Sequence, residues 1–205
     1  VQMTTWTRHL YEHDPLAIAK GESNYLSVRN IFGYQENVTT SFIPAWEYAT
    51  AYTYPTSAVT MDVASTDTVN DNGYTVRIIG LDANYNIISE DVTIPATTTK
   101  AFFRINDVLY FNTDGNQGLI TVSNGGTVYA AIRIGDGRNQ ASIYTVPAGH
   151  CFYLYRIDAF SNDSASSKTG VFKNFTINSS GHTFSVARTT FQNQMNIQRR
   201  LPFKY

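Results

Sequence analysis

The sequence of 205 residues is poor in cysteine and lacks any long apolar run. Cys151 is its only cysteine, which excludes an intrachain disulfide framework. The fold must therefore be held by packing or by assembly, as in proteins made in a reducing cytosol. No stretch approaches the roughly 18 apolar residues that a membrane-spanning helix needs, and no signal peptide is recognisable. We therefore expect no membrane partner.

The sequence is also poor in charge. Charged residues make up 15% of the chain, and the formal net charge is −1, which argues against a general electrostatic nucleic-acid binder. Basic residues are concentrated only at Gln198-Arg199-Arg200 with Lys204. We interpret this small cluster as part of a solvated tail, and we expect no direct contact with nucleic acid.

Two patterns resemble metal sites but lack ligands. His9 and His13 lie four residues apart, a spacing at which a helix would present both rings to one ion. No carboxylate or cysteine completes that set, and Pro15 opposes a helix. Residues 112–116 faintly resemble a calcium loop without its closing glutamate, so turn chemistry explains them better. We predict no metal and no cofactor.

The candidate catalytic pairs fail on geometry. His150 and Cys151 are adjacent, so in a strand their side chains point to opposite faces, too far apart for a Cys–His pair. Cys151 is better explained as a buried structural thiol. Glu90 and Asp91 are also neighbours on opposite faces, an arrangement unsuited to glycoside hydrolysis. We therefore predict no catalytic residues and no enzyme.

What the sequence does contain is a succession of short β-strand patterns separated by turns. Residues 72–80 and 87–95 flank a turn at residues 82–86 and are predicted to form a hairpin. Asn124-Gly125-Gly126 predicts a tight primed turn, and the strand over residues 101–111 is expected to be interrupted at Asn106-Asp107. About nine to eleven strands at spacings near ten residues indicate an all-β fold, a single antiparallel β-sandwich that is jelly-roll-like.

The same patterns divide the chain into three parts. We predict an N-terminal arm at residues 1–47, the β-sandwich at residues 48–187, and a C-terminal segment at residues 188–205 that is a closing strand or a second arm. One strand is predicted at residues 25–33 within the arm. An arm this apolar must lie along its own sandwich or against a neighbouring subunit, and we favour the neighbour.

Aromatic side chains recur at even spacing from Trp46 to Tyr54. In a strand these rings would all face one way. Two interpretations remain open: the rings line the inner face of the sandwich or a lid over it, or they form a contact surface for another subunit, since rigid aromatics bury large areas at low entropic cost.

Four stretches resemble virion structural proteins of tailed bacteriophages. They are Tyr52-Thr53-Tyr54-Pro55, residues 80–93 (Gly80-Leu81-Asp82-Ala83-Asn84-Tyr85-Asn86 followed by Ser89-Glu90 and Val92-Thr93), Phe103-Arg104-Ile105-Asn106, and Tyr144-Thr145-Val146-Pro147-Ala148-Gly149. Gly33 and Trp46 also fall where those proteins tend to carry a glycine and a tryptophan. The resemblance covers about residues 28–200.

The resemblance implies a particle component rather than a reaction. We expect a capsid decoration or cement protein, made in the bacterial cytoplasm, that binds the outside of the major capsid shell and bridges capsomers. Its partners would be the major capsid protein and neighbouring copies of itself in a homo-oligomer, for which a trimer is one form that no residue pattern selects. The expected contact residues are Trp6, Tyr25, Phe32, Trp46, Tyr48 and Tyr52, with Arg29 as a hydrogen-bonding anchor.

Two other functions remain open. The chain could be a tail, neck or fibre-associated adaptor or host-contact protein. It could also be a carbohydrate-binding β-sandwich, in which exposed aromatic side chains would stack on sugar rings.

Overall fold

The computed structural model describes residues 27–36, 41–49, 51–162, 169–178, 182–192 and 194–204. Residues 1–148 and 149–205 form two compact units, so the predicted sandwich of residues 48–187 spans parts of both. The strands of the described residues are β1 (Asp62–Ser65), β2 (Thr75–Leu81), β3 (Ile87–Thr93), β4 (Ala96–Thr97), β5 (Arg104–Phe111), β6 (Ile120–Asn124), β7 (Thr127–Ile132), β8 (Tyr153–Asn162), β9 (Thr169–Ile177), β10 (Thr183–Gln192) and β11 (Gln194–Lys204).

Two antiparallel sheets of the first unit form a β-sandwich, which confirms the predicted fold class. One sheet has the strand order β4-β1-β6-β7 and the other has β3-β2-β5. The chain crosses between the sheets after β1, β3, β4 and β5. Alternate strand residues face inward, and both sheets contribute to one apolar core made of Met61, Val63, Val76, Ile78, Val92, Ile94, Phe102, Ile105, Val108, Tyr110, Ile120, Val122, Ala130 and Ile132.

The predicted central hairpin is confirmed. It pairs β2 with β3 along all seven residues of each strand. The Asp82 carboxylate closes the turn, because it accepts hydrogen bonds from the side chain and the backbone N–H of Asn86 and from the backbone N–H of Asn84. The bonds from Asn86 hold the pKa of Asp82 below its ordinary value.

The predicted interruption of the strand near residue 106 is a β-bulge. The pairing of β5 with β2 passes from Asp107 directly to Ile105 and leaves Asn106 as the extra residue. The Asn106 side chain donates to the carbonyl oxygen of Thr145 and accepts from the Thr145 N–H, both at 2.8 Å. The bulge thus ties residues near 145 to the outer edge of β5.

The predicted tight turn between β6 and β7 is also confirmed. Asn124 pairs with Thr127, so Gly125 and Gly126 alone form the loop. Both glycines have positive φ angles, +56° and +81°, which primed hairpin turns require and other residues rarely adopt.

A buried carboxylate joins two loops at one end of the sandwich. Asp71 is fully buried and accepts hydrogen bonds from the hydroxyls of Ser65 and Tyr110 and from the backbone N–H groups of Gln117 and Gly118. Burial by itself raises the pKa of a carboxyl group, but these four bonds together hold the pKa of Asp71 below its ordinary value.

A buried amide joins a third loop to the same end. The Asn116 side chain donates to the carbonyl oxygens of Gly118 and Arg133, both at 2.7 Å, and accepts from the N–H of Gly137 at 3.1 Å. Asn116, one of the side chains that gave residues 112–116 their likeness to a calcium loop, therefore faces inward and binds backbone. We call residues 65–74, 112–118 and 133–137 the loop end.

The second unit consists, in its described residues, of two antiparallel ribbons, β8 with β11 and β9 with β10. Two predictions are wrong here. The basic cluster at residues 198–204 belongs to strand β11 instead of a solvated tail, and Cys151 is exposed instead of buried. The predicted C-terminal segment, residues 188–205, supplies return strands to both ribbons.

Candidate protein-interaction surface

The aromatic run from Trp46 to Tyr54 is not a strand in its described residues, apart from an isolated bridge between Trp46 and Ala141. The expectation of a one-sided strand is therefore wrong. The rings nevertheless touch in series, because the ring centroids of Trp46 lie 5.4 Å from Tyr48 and 5.0 Å from Tyr52. Tyr52 in turn lies 4.9 Å from Tyr54. Tilted and edge-on contacts of this kind stabilise aromatic clusters.

Two of the predicted contact residues pack against their own sandwich. Trp46 is only 2% exposed, and the Tyr52 hydroxyl donates to the backbone carbonyl of Tyr129 in β7 at 3.1 Å. Burial raises the pKa of Tyr52. Trp46 and Tyr52 therefore fit the interpretation of a lid over the sandwich, whereas Tyr48 is exposed and remains open to a partner.

Arg104 connects the aromatic run to the central hairpin. Its guanidinium donates to the carbonyl oxygens of Pro55 and Phe103. It also lies over three rings, 3.9 Å from the centroid of Phe103, 5.0 Å from Tyr54 and 6.0 Å from Tyr85, which is cation–π geometry. Our sequence reasoning did not select Arg104 as a functional residue, although it stands inside one of the stretches that carry the family resemblance.

The four stretches that carry the resemblance meet around this arginine. The Tyr85 and Phe103 rings are 5.4 Å apart, and the N–H of Ala148 donates to the carbonyl of Tyr85 at 2.9 Å. Asn106 holds Thr145, and Arg104 holds Pro55. Stretches far apart in the chain thus build one side of the first unit.

Residues 27–36 lie along the first unit itself. The predicted strand is absent from the described residues 27–33. Residues 27–36 contact their own unit but stay largely exposed, so a placement of the arm against a neighbouring subunit stays a prediction. The N–H of Tyr34 donates to the carbonyl of Gln140. A Cβ at Gly33 would stand 2.5 Å from both Ala45 O and Ser142 Cβ, so only glycine permits this approach.

Side-chain hydrogen bonds fix residues 27–36 to residues 41–49. The Gln35 amide nitrogen lies within 3.2–3.3 Å of the carbonyl oxygens of Pro44, Trp46 and Ala49. Both the N–H and the hydroxyl of Ser142 donate to the carbonyl of Ala45. We call residues 27–36 and 41–49 the N-terminal segments.

Two arginines hold these segments by ring contacts. Arg138 makes a bidentate ion pair with Asp107, with both N···O distances 2.8 Å, and its guanidinium lies 5.8 Å from the Phe32 ring. Arg133 lies 4.7 Å from the ring of Tyr34. Since the bidentate pair with Asp107 fixes the plane of the Arg138 guanidinium, that group has one orientation relative to the Phe32 ring.

Six apolar side chains of the N-terminal segments are exposed. Phe32 is 58% exposed and Phe42 65%. We call the exposed side chains of Val28, Ile31, Phe32, Tyr34, Phe42 and Tyr48 the N-terminal apolar patch.

The predicted contact residues divide into three groups. Phe32 and Tyr48 belong to the N-terminal apolar patch, and Arg29 is exposed beside Val28. Trp46 and Tyr52 pack inward. Trp6 and Tyr25, like His9 and His13, lie outside the described residues. A contact role for each of these residues stays a prediction.

The concave sites near this surface are small or shallow. A crevice of about 40 Å³ lies between Arg29–Phe32, the end of the central hairpin and residues 138–147, with room for a few water molecules. A wide groove of about 520 Å³ crosses the outer face of β2 and β3, lined by Arg77, Ile79, Ile87, Ser89, Glu90, Asp91 and Lys100. The groove lining contains no ring on which a sugar would stack.

Glu47 has the largest carboxyl pKa shift at this surface. Burial raises its pKa to about 7, and the nearby charge of Asp136 adds to the effect, while a hydrogen bond from the N–H of Gln140 opposes it. Within the described part of the chain its Oε2 atom is buried without a hydrogen-bond partner. No donor there supports a negative charge on that oxygen, so the folded state favours the neutral acid.

We predict that Glu47 makes the protein less stable as the pH rises. The pKa of Glu47 is 4.5 when unperturbed and about 7 in the fold. Between these pH values Glu47 is therefore protonated in the folded state and ionised in the unfolded state. The free energy of unfolding should therefore fall between pH 4.5 and about pH 7, by about 1 kcal/mol for a half-buried group. Urea titrations in this interval check it: Glu47→Gln should remove the slope, and Glu36→Gln, at an exposed site, should keep it. An unchanged slope in Glu47→Gln contradicts the assignment.

The described residues define a protein of the all-β sandwich type whose N-terminal segments carry exposed apolar side chains. Among them, no group of three or more His, Cys, Asp and Glu side chains is placed to hold a metal ion. No helix in the described part of the chain is long and apolar enough to cross a membrane. No protein-family model, curated protein or solved structure matches the chain.

Proposed function

We propose that the chain is a non-enzymatic structural protein of a bacteriophage virion. In this proposal it is a capsid decoration or cement protein on the particle exterior, bound to the major capsid protein and to neighbouring copies of itself. The observation that carries the proposal is the N-terminal apolar patch, which the chain's own hydrogen bonds hold in place and yet leave exposed. The resemblance of residues 28–200 to virion proteins supports it.

The patch has the properties of a protein contact. A specific contact buries on the order of 800 Å² per partner, and rigid aromatic side chains supply such area at low entropic cost. Because Gly33, Gln35 and Arg138 already order the N-terminal segments, docking would lose little backbone freedom. A shell repeats the same contact many times, so each contact needs only modest affinity.

The proposal predicts that Phe32→Asp abolishes binding to capsids of the parent phage that lack this protein. A carboxylate within the patch must be desolvated on docking, and we expect at least a tenfold loss of affinity in co-sedimentation. The matched control is Phe111→Asp, since Phe111 is 47% exposed at the end of β5 and is not a member of the patch. Wild-type binding by Phe32→Asp would exclude the patch as the anchor.

Copy number per particle separates this proposal from the tail or neck alternative. A decoration protein occurs in hundreds of copies, whereas a tail or neck component forms one ring. Quantitative mass spectrometry of purified virions measures this number. A count that matches one ring would replace the decoration role with the adaptor role.

A further inference from the structure

The two units carry opposite charge. Residues 1–148 contain eight Lys and Arg against fourteen Asp and Glu, a formal charge of −6. Residues 149–205 contain seven Lys and Arg against two Asp, a formal charge of +5. The near-neutral total conceals this separation, which creates fields of opposite sign on different parts of the surface.

The β9–β10 ribbon presents a face that is both basic and apolar. Lys173, Phe175 and Ile177 alternate along β9 and so share one face. Arg188 is the direct cross-strand partner of Lys173 and lies on the same face. Phe175 is 50% exposed and Ile177 49%. We call these four side chains the ribbon face.

The ribbon face combines two like charges with exposed apolar surface. Lys173 and Arg188 lie directly opposite each other, and like charges in that position repel. The Lys173 ammonium also lies 5.7 Å from the centre of the Phe175 ring. An anionic partner with apolar side chains of its own would complement both features.

The loop end of the first unit has the complementary character. It carries Asp67, Asp114 and Asp136 at its surface, together with Val69, which is 84% exposed, and Ile134, which is 66% exposed. The hydrogen bonds of Asp71 and Asn116 hold its three loops together. Its one arginine, Arg133, is directed to Tyr34 and Glu36.

We propose that the ribbon face of one copy docks on the loop end of a second copy. Such a contact is head-to-tail: each copy uses two different surfaces, so copies add in series until a ring closes. This inference specifies how copies of the chain would contact each other, and it rests on the self-association that the proposed function includes. Its test is made in solution without capsids and leaves the N-terminal apolar patch intact, so failure of one proposal is distinguishable from failure of the other.

Sedimentation velocity of the full chain tests the contact. We expect the average mass to rise with protein concentration at low salt and to fall at high salt, where exposed charges are screened beyond about 3 to 10 Å. Lys173→Glu with Arg188→Glu, and separately Asp114→Lys with Asp136→Lys, should each weaken association at least tenfold. The first pair keeps like charges opposite each other, so the repulsion across the ribbon is matched, although the contact of Lys173 with the Phe175 ring is lost. Arg156→Glu, which reverses one exposed charge on β8 that is paired with Asp158, is the control for charge reversal outside the ribbon face.

Mixing the two double variants gives the decisive result. Each variant alone carries one sign on both surfaces, whereas in the mixture every contact joins opposite signs, so association should return. A wild-type protein that stays monomeric at every concentration and salt overturns the proposal. A sedimentation coefficient that changes with salt at constant monomer mass would indicate docking within one chain and would overturn it as well. Binding of a short DNA duplex to a monomeric wild type, lost in Lys173→Glu with Arg188→Glu, would assign the ribbon face to nucleic acid and overturn it as well.

Discussion

Replacing Asp71 with alanine is expected to lower the free energy of unfolding by about 3 to 5 kcal/mol. The buried carboxylate accepts four hydrogen bonds, three from the loop end and one from Tyr110 in β5, and its removal leaves these N–H and hydroxyl donors without an acceptor. The cost of such orphaned donors exceeds the value of the bonds themselves. Urea unfolding followed by circular dichroism measures the change.

The matched control for this variant is Asp67→Ala. The Asp67 carboxylate accepts three hydrogen bonds, from the backbone N–H groups of Val69 and Asn70 and from the Asn70 side chain. Unlike the Asp71 carboxylate, it is in contact with water. Its loss should therefore cost only a small fraction of the effect at Asp71. Equal losses in the two variants would show that burial of the carboxylate contributes nothing.

The same carboxylate predicts a dependence on acid. The pKa of Asp71 lies below its ordinary value of 3.8 in the fold, so its stabilising contribution is complete above that value and is lost as the pH falls through the folded pKa. Glu47 acts in the opposite direction at higher pH. Stability should therefore be greatest on the acid side of neutrality, above the titration of Asp71 and below that of Glu47.

The parts of the fold that sequence reasoning predicted are those fixed by neighbours in the chain. Asp82 closes the turn of the central hairpin through Asn84 and Asn86, and Gly125-Gly126 needs only its own backbone freedom. The bulge at Asn106 is also visible, because a polar pair interrupts an apolar strand. Turns of this kind can be predicted from neighbouring residues alone, without knowledge of distant contacts.

The parts that sequence reasoning missed depend on distant partners. Asp71 meets Gln117 across 46 positions and Arg104 meets Pro55 across 49, and neither residue belongs to a pattern that announces such a contact. The contacts of residues 27–36 with their own unit were missed for the same reason, because Gly33 signals a close approach but not to which residue. The division of the chain into two units at residue 148 was not predicted, because the strand patterns on both sides of that residue are alike.

The candidate surface was predicted in part. Aromatic residues in the region of residues 32–54 were selected as contact residues, a role that stays a prediction, but composition does not separate those that pack inward from those that face outward. Trp46 contacts Tyr48 and Tyr52 inside the lid, while Phe32 is fixed in the exposed patch by Arg138. The contact partners of each ring decide its role.

Replacing Trp46 with alanine is therefore expected to release the N-terminal segments while the sandwich stays folded. A buried tryptophan truncated to alanine costs about 3 to 5 kcal/mol, and Trp46 carries the ring contacts and the bridge to Ala141 that hold this region. In hydrogen exchange, amides of residues 41–49 and 140–142 should lose protection, whereas those of β2 and β5 should keep it.

Tyr48→Ala is the matched control, because Tyr48 is exposed and shares one ring contact with Trp46. If the proposed capsid contact is right, both variants bind capsids less well, but for different reasons. Trp46→Ala should lose binding together with protection, since the patch is no longer ordered, whereas Tyr48→Ala should lose binding with protection unchanged. Loss of binding in Trp46→Ala without any change in exchange would make Trp46 a direct contact residue and would contradict its assignment to the lid.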